Sequence, residues 1–226
     1  MNTSIMTDPF AGLRSRRQFL GRVGLGALFT VPGALAEEVS HKTTTKTAWV
    51  EEGPFYPPKL PLDTDNDLII VNDLITPAIG EITHLNGRLL DAKGDPIRNA
   101  TIEIWSVDHD GVYLAERSRR DKSDANFQGF GRFLTSSTGE YYFRTIRPVA
   151  YPGRQAPHIH FKIKIKGRDS WTTQLFIKGH PGNQRDGVFR RIRESDRDSV
   201  IVAFEPVPES RIGELSAQFD IVMAEA

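Results

Sequence analysis

Short runs of alternating apolar and polar residues, rich in β-branched and aromatic types, fill the chain from about residue 81 onward. They are, in order, EITHLNGRLLD, NATIEIWSVD, GRFLTSSTGEYYFRTI, HIHFKIKIKG, SWTTQLFIKG, SVIVAFEPV and AQFDIVMA. Turn residues separate the runs, as in KGD at 93–95, TG at 138–139 and KGR at 166–168. Many short strands without helical periodicity between them predict an all-β fold, an antiparallel β-sandwich, over residues 81–226. A short helix is expected only within residues 186–198.

Residues 37–80 do not show this alternation. The stretch EEGPFYPPKLPLDTDNDL is rich in proline and has no helical period. Proline and turn-forming residues at this density are typical of irregular structure. We therefore predict an irregular N-terminal arm that lies over the sandwich and is not a domain of its own.

The first 36 residues have the layout of an export signal. Arginines come first, an apolar run follows at residues 24–35, and Ala-Leu-Ala at 34–36 has the small-x-small form of a cleavage site. The run is too short for a membrane-spanning helix, which needs about 20 residues. Arg-Arg at 16–17 followed by Gln-Phe-Leu resembles a twin-arginine (Tat) signal. The sequence therefore predicts a periplasmic or secreted protein, exported by the twin-arginine route.

Charge and cysteine content narrow the classes of partner and of metal site. The chain has 29 basic and 29 acidic residues, so its charge favours neither nucleic acid nor acidic membrane lipid as a partner. It has no cysteine, which excludes disulfides, zinc–thiolate sites, iron–sulfur clusters and cysteine nucleophiles. Any metal must be held by His, Tyr, Asp, Glu or backbone oxygen.

Two of the six histidines, His158 and His160, stand two residues apart in a predicted strand. Side chains at i and i+2 share one face of a strand and are close enough to bind a single metal ion. Ile159 and Phe161 alternate with the histidines and are therefore predicted to point to the opposite face, into the core. Lys162, Lys164 and Lys166 continue the face of the histidines, which favours a solvated surface. From spacing alone, two surface histidines account for the pattern equally well.

Two tyrosines add a second kind of candidate ligand. Tyr151 precedes the histidine pair across Pro-Gly, a predicted tight turn, and Tyr113 ends the strand that finishes in DHDGVY. Phenolate oxygens with neutral imidazoles and without thiolate suit a hard, oxidised cation such as Fe(III). Two of each would leave a coordination position open for a substrate.

The order of these segments resembles the intradiol ring-cleavage dioxygenases over residues 51–224. The similarity rests on EGPFYPP, LNGRLLDAKGDPIRNATIEIWSVDHDGVY, FQGFGRFLTSSTGEYYFRTIRPVAYP, PHIHF, TTQLFIKG and FDIVM. Subunits of protocatechuate 3,4-dioxygenase are the most similar in character, with the catechol and hydroxyquinol 1,2-dioxygenases as relatives. The resemblance implies a non-haem Fe(III) ion whose ligands are Tyr113, Tyr151, His158 and His160.

The resemblance also assigns roles around the iron. It implies that Trp105 lies near the metal, that Pro54 lines the substrate side and that Gln174 lies just outside the ligand set. Tyr151 would leave the metal when substrate binds and act as a base. The family usually has an arginine three residues before the first histidine, where this chain has Gln155. Either Arg154, one residue earlier, stabilises the charge on the activated ring, or it is a solvent-exposed turn residue.

The implied reaction inserts both atoms of O2 between the two hydroxyl-bearing carbons of a catechol-type ring and yields a muconate-type diacid. Its partners would be the small aromatic substrate and O2, and completion of the pocket by a second copy or another subunit stays open. The alternatives are a non-enzymatic exported β-sandwich, such as a transthyretin-like carrier or a carbohydrate-binding module, and a hydrolase-type zinc site. Neither needs the two tyrosines. His84, His109 and His180 are expected to cap or solvate loops.

Overall fold

The structure, a computed structural model, describes residues 45–71 and 75–224. The predicted export signal and the first part of the predicted arm lie outside these residues. No helix in the described ranges is long and apolar enough to cross a membrane.

Strands dominate the described ranges, as the alternation predicts. They are β1 Ile82–Leu90, β2 Thr101–Trp105, β3 Phe130–Leu134, β4 Glu140–Ile146, β5 His158–Lys164, β6 Trp171–Ile177, β7 Ile201–Val202, β8 Phe204–Pro206, β9 Leu215–Gln218 and β10 Ile221–Val222. One sheet has the order β3-β2-β5-β6-β7, and in the other β10-β1-β9-β8 is completed by β4, which pairs with β1.

The prediction of a purely antiparallel sandwich is wrong in one respect, because both sheets are mixed. Strand β6 pairs in parallel with β7, and β1 pairs in parallel with β9 and β10. Parallel neighbours need a long crossover between them. Residues 178–200 supply one such crossover, and they hold the short helix α1, Gly187–Arg191, inside the window predicted for it. The segment matters below because it carries a contact to the candidate site.

The core lies between the two sheets and is built from the inward residues of alternating strands. Ile159, Phe161 and Ile163 of β5 are fully buried, as are Leu85 of β1 and Phe143 of β4. The alternation along β5 therefore identified the core face correctly. It follows that His158 and His160 lie on the outer face of the first sheet.

The arm covers this outer face. Val50 N donates to Thr172 O of β6 at 3.1 Å, and Thr172 Oγ1 donates back to Val50 O at 2.7 Å. Thr173 Oγ1 also bonds to Ala48 O at 2.7 Å. Since buried backbone groups need partners, these bonds fix the arm along β6. The described part of the arm thus lies along the first sheet of the sandwich.

The predicted solvated stripe of lysines is wrong for Lys162, because the arm lies on that face, and holds in part for Lys164, whose side chain is 39% exposed. The side chain of Lys162 is only 13% exposed and pairs with Glu52 of the arm at 2.6 Å. Its Nζ also lies 4.0 Å from the centre of the Tyr56 ring. Lys164 pairs with the buried Glu103 at 2.8 Å, whereas Lys166 is exposed as expected.

Candidate metal centre

Two imidazoles and two phenols meet above the start of β5. Tyr113 Oη lies 3.0 Å from His160 Nε2, 3.2 Å from His158 Nε2 and 3.3 Å from Tyr151 Oη. His158 and His160 are 1% and 3% exposed, so they are not surface histidines. The structure therefore brings together the four residues that the sequence predicts as metal ligands.

A tight turn presents Tyr151. Arg154 N donates to Tyr151 O at 2.9 Å, and Tyr151 N donates to Arg154 O at 3.2 Å. Proline at the second position and Gly153 with φ +93° at the third are the features of a type II turn. The turn predicted from Pro-Gly is therefore present, and it points the phenol back toward the histidines.

A second loop presents Tyr113. Asp108 Oδ1 accepts from Val112 N at 2.9 Å and closes the loop into a compact shape. Gly111 has φ +72°, and a Cβ added there would lie 2.9 Å from Cβ of Tyr151. A side chain at position 111 would therefore push the two tyrosine-bearing loops apart. Glycine is needed here both for its backbone angle and for the close approach.

Both histidines are held in the neutral form that binds metals. His158 Nδ1 lies 2.7 Å from Ala156 O, which leaves the lone pair of Nε2 facing the tyrosines. Burial, with the nearby charge of Arg154, lowers the pKa of His158 to about 3. Burial likewise lowers the pKa of His160 well below its usual value. Neither ring needs to lose a proton at neutral pH before it can bind a cation.

The two phenols need a cation before they lose their protons. Burial raises the pKa of Tyr113 well above its usual value, and burial also raises the pKa of Tyr151. A metal ion is the local charge that reverses this preference. In the described ranges no three His, Asp or Glu side chains form a metal-binding group, so the candidate centre depends on the phenols. Two imidazole nitrogens and two phenol oxygens fit a hard, oxidised cation.

Trp105 lies directly against one of the candidate ligands. It pairs with His160 across the ladder between β2 and β5, and its ring stacks on the imidazole at 4.7 Å and 9°. The Tyr56 ring meets the other side of Trp105 edge-on at 5.1 Å. Trp105 thus fixes the plane of His160, one of the two histidines near which the resemblance places it.

The arm forms one wall of the centre. A Cβ built on Gly53 would lie 3.6 Å from Cε1 of His160, and Pro54, which follows, is exposed at the rim. The next residue, Phe55, stacks on Tyr113 at 4.5 Å and 13° and meets Tyr151 edge-on at 6.5 Å. Sequence reasoning singled out Pro54 and missed Phe55, although both belong to the same EGPFYPP segment. The signal for Phe55 was an aromatic ring directly after Pro54.

Arg154 points into the protein and not into solvent. Its side chain is 13% exposed, and its Nε donates to Asp186 Oδ2 at 2.9 Å. Its Nη2 donates to Gln174 Oε1 at 2.8 Å, and Gln174 Nε2 donates to Glu51 O of the arm at 2.9 Å. Gln155 is exposed. The alternative of a solvent-exposed Arg154 is therefore wrong, and Gln174 lies against the arginine as its predicted place requires.

Asp186 is the residue of this cluster that sequence reasoning missed. Burial by itself raises the pKa of its carboxyl, but hydrogen bonds from Arg154 and from Phe189 N outweigh burial and lower the pKa. The carboxylate is therefore ionised at neutral pH. The only signal in the sequence was an acidic residue at the start of the window predicted for the short helix. An acidic residue at this position is also the ordinary signature of a helix N-cap.

The other three histidines of the described ranges lie elsewhere. His84 lies between Tyr142 and Glu214, at 2.6 Å and 3.0 Å. His109 pairs with Asp110 at 3.2 Å, and His180 Nδ1 accepts from Gly182 N at 3.1 Å. Each serves a local contact, as the sequence predicts.

A cavity of about 410 Å³ adjoins the centre on the side of Tyr113. Its walls include Leu62 of the arm, Phe127 and Gln128. Within the described ranges, neither His158 nor Arg154 lines it. We therefore do not assign it to the substrate.

Comparison with known proteins decides the family. A sequence profile described as "Dioxygenase" matches residues 51–225. The chain belongs to the intradiol ring-cleavage dioxygenase family. The protocatechuate 3,4-dioxygenase beta chain of Burkholderia cepacia is 35% identical over 64% of this chain and 65% of its own length. The hydroxyquinol 1,2-dioxygenase of Corynebacterium glutamicum is 28% identical over 84% of this chain and 67% of its own length.

The fold agrees with this family. The dioxygenase domain of a dioxygenase–carbohydrate-binding fusion from Streptomyces sp. SirexAA-E is 25% identical, with a TM-score of 0.61 over 80% of this chain and 99% of that one. The matched part of this intradiol-family chain spans about two thirds of the length of the first two curated relatives. Family membership favours an enzyme over the alternative of a non-enzymatic carrier.

Proposed function

We propose that this protein is a non-haem Fe(III) dioxygenase that cleaves a catechol-type ring between its two hydroxyl-bearing carbons. The observation that carries the proposal is the meeting of two phenols and two neutral imidazoles, in which Tyr113 Oη lies within 3.3 Å of the other three groups. Membership in the intradiol family supports the same conclusion. Tyr113, Tyr151, His158 and His160 would hold the iron.

The ligands differ in how firmly the fold holds them. The histidines project from β5, whose register with β2 and β6 is set by two ladders. Tyr151 projects from a four-residue turn and is half-buried. Bound Fe(III) would supply the Lewis acidity that makes the catechol ring reactive toward O2. We assign to Tyr151 Oη the acceptance of a proton from a catechol hydroxyl, because Tyr151 is the less firmly held phenol.

Arg154 and the aromatic walls complete the proposed chemistry. The guanidinium lies beside the centre, where it would stabilise negative charge that develops on the ring oxygens. Phe55 and Trp105 present apolar rings on two sides and would exclude water from the reacting ring. A catechol-type diol and O2 together contain all the atoms of the diacid product, so no external reductant is consumed.

We propose a catechol-type ring as the substrate class because the curated relatives carry the names protocatechuate, hydroxyquinol and catechol dioxygenase. The substituents of the ring are not fixed by the four ligands. An assay with catechol, protocatechuate and hydroxyquinol, followed by O2 uptake and by the absorbance of the diacid, identifies the preferred member.

Colour and metal content test the proposal directly. The purified protein should hold about one iron per chain and show a broad visible absorption band from the tyrosinate ligands, which shifts when a catechol is added. A colourless protein that stays inactive after reconstitution with iron would overturn the proposal. A colourless protein that holds zinc would favour the hydrolase alternative.

A further inference from the structure

A buried ion pair ties the tyrosine-bearing turn to the crossover segment. Asp186 is 1% exposed and accepts from Arg154 Nε at 2.9 Å. The two residues are 32 positions apart in the chain, so the pair is a tertiary contact. Charge-assisted hydrogen bonds of this kind are about twice as strong as neutral ones. The pair is therefore the main restraint on the direction of the guanidinium.

Backbone N–H groups also fix the carboxylate of Asp186 itself. Its Oδ2 also accepts from Ala156 N at 3.2 Å, two residues before His158. Its Oδ1 accepts from Val188 N at 3.0 Å and from Phe189 N at 3.1 Å, which caps α1. One side chain thus joins the turn, the residues leading into β5 and the start of α1. A carboxylate with four donors has little freedom to reorient.

Without this carboxylate, Arg154 would keep only neutral partners, namely Gln174 Oε1 and the phenol of Tyr151. An arginine side chain has about 2 kcal/mol of rotamer entropy, which favours its release into solvent from a surface turn. The charge that lies beside Tyr151 would then be lost to the centre.

We propose that Asp186 is a positioning residue for Arg154 and holds the guanidinium beside the candidate metal centre. The inference rests on the proposed dioxygenase function for its kinetic consequence. Its structural part, the ordering of Arg154 by Asp186, stands on the hydrogen bonds alone.

The first test is Asp186→Asn, which keeps the size of the side chain and a capping oxygen for α1 but removes the charge. Turnover should fall roughly 10–100-fold, as is typical when a residue that supports a site residue is changed. KM and iron content should change little, because no ligand is touched. The control is Asp196→Asn, which removes a pairing with the 84% exposed Arg193 in the same segment and should leave turnover unchanged.

The decisive test is a double-mutant cycle with Arg154→Ala. If Asp186 acts through Arg154, Asp186→Asn should lower turnover no further in a protein that already lacks the arginine. If the double variant loses turnover by the product of the two single losses, the inference is overturned and Asp186 only caps the helix. Asp186→Ser, which retains a hydroxyl cap, serves in the same cycle where the asparagine variant folds poorly.

An NMR measurement separates failure of this inference from failure of the proposed function. The Nε–H signal of Arg154, identified by its absence in Arg154→Ala, should be protected from solvent exchange in the wild-type protein loaded with diamagnetic Ga(III) in place of iron. It should lose that protection in Asp186→Asn. A signal that stays protected overturns the positioning role whatever the enzyme does, whereas a wild-type protein that cleaves no catechol overturns only the proposed function.

Discussion

At the scale of single residues, the position of the backbone in the fold decides whether a polar side chain is a candidate ligand. His160 and His180 are the same residue type, yet their surroundings differ. The ring of His160 is 3% exposed and lies beside two phenols, whereas His180 accepts a hydrogen bond from a backbone N–H of its own loop. The difference comes from the ladder that places His160 opposite Trp105. The chemistry of a histidine here follows from its strand register.

His160→Ala should remove iron and colour, because a ligand fixed by a strand cannot be replaced by a neighbour. His180→Ala should keep both. Metal analysis and the visible spectrum of the two variants check the prediction. Equal loss of iron in both would mean that the ligand set is assigned to the wrong histidines.

Arg154→Ala should lower turnover roughly 100-fold with iron content unchanged, if its charge stabilises the activated ring. Gln155→Ala should have little effect because that side chain is exposed. Steady-state kinetics and iron analysis of both variants decide the point. The opposite ranking would show that position 155 fills the role, as the usual spacing of the family implies.

At the scale of elements, the arm and the first sheet form one unit around a buried carboxylate. Glu103 is 0% exposed and binds Arg132, Lys164 and Tyr56 at 2.7–2.9 Å. Tyr56 in turn packs on Trp105, which stacks on His160. The network therefore links the arm to the candidate metal centre.

Glu103→Gln should lower the free energy of unfolding by about 1–3 kcal/mol at pH 7, because hydrogen bonds to a charged group lose their charge. Burial alone raises the pKa of Glu103, but the bonds from Lys164, Arg132 and Tyr56 outweigh it and lower the pKa below 4.5. A carboxyl whose pKa is lower in the folded protein than in the unfolded chain stabilises the fold at pH values above the unfolded pKa. This contribution is lost as the pH falls through the folded pKa. The difference between wild type and variant should therefore shrink below pH 4.5.

Denaturant unfolding at a series of pH values measures this difference. Glu205→Gln is the matched control, because Glu205 is exposed on β8 and its loss should be nearly neutral. A difference for Glu103→Gln that stays constant from pH 7 to pH 3 would contradict the ionic origin of the effect.

Much of this organisation could be predicted from alternation and turn chemistry, and the rest depends on long-range packing. Period-two patterning predicts the core face of Phe161, and Pro-Gly predicts the turn at Tyr151. The same patterning cannot show that the arm will cover Lys162, because an outward face looks the same whether water or another segment lies on it. Asp186 was missed for a similar reason, since its contact with Arg154 bridges 32 residues.

At the scale of the whole molecule, the candidate ligands come from separate parts of one sandwich. Tyr113 and Tyr151 are 38 residues apart and meet only when the sheets have formed. Binding of the proposed iron would therefore be coupled to folding. We propose that the leader belongs to the twin-arginine route, which moves folded proteins, so that the metal is bound before export.

Replacement of both Arg16 and Arg17 by lysine should block export and leave an active, coloured, unprocessed protein inside the cell. Fractionation, mass spectrometry of the N-terminus and a ring-cleavage assay check this. Export and cleavage after residue 36 in the double variant would contradict the twin-arginine assignment. The dioxygenase proposal would survive that result, because it depends on residues 105–174.

The turn at residues 151–154 sits outside the sandwich, and a Cβ added to Gly153 would meet nothing within 4 Å. A change at Gly153 alters backbone strain without creating a clash, whereas changes around His160 disturb two ladders at once. Substitutions next to the tyrosine ligand are therefore tolerated more readily than substitutions next to the histidine ligands. In the proposed mechanism, a few loop residues would then set how easily Tyr151 leaves the metal, whereas the positions of the two histidines are set by the strands.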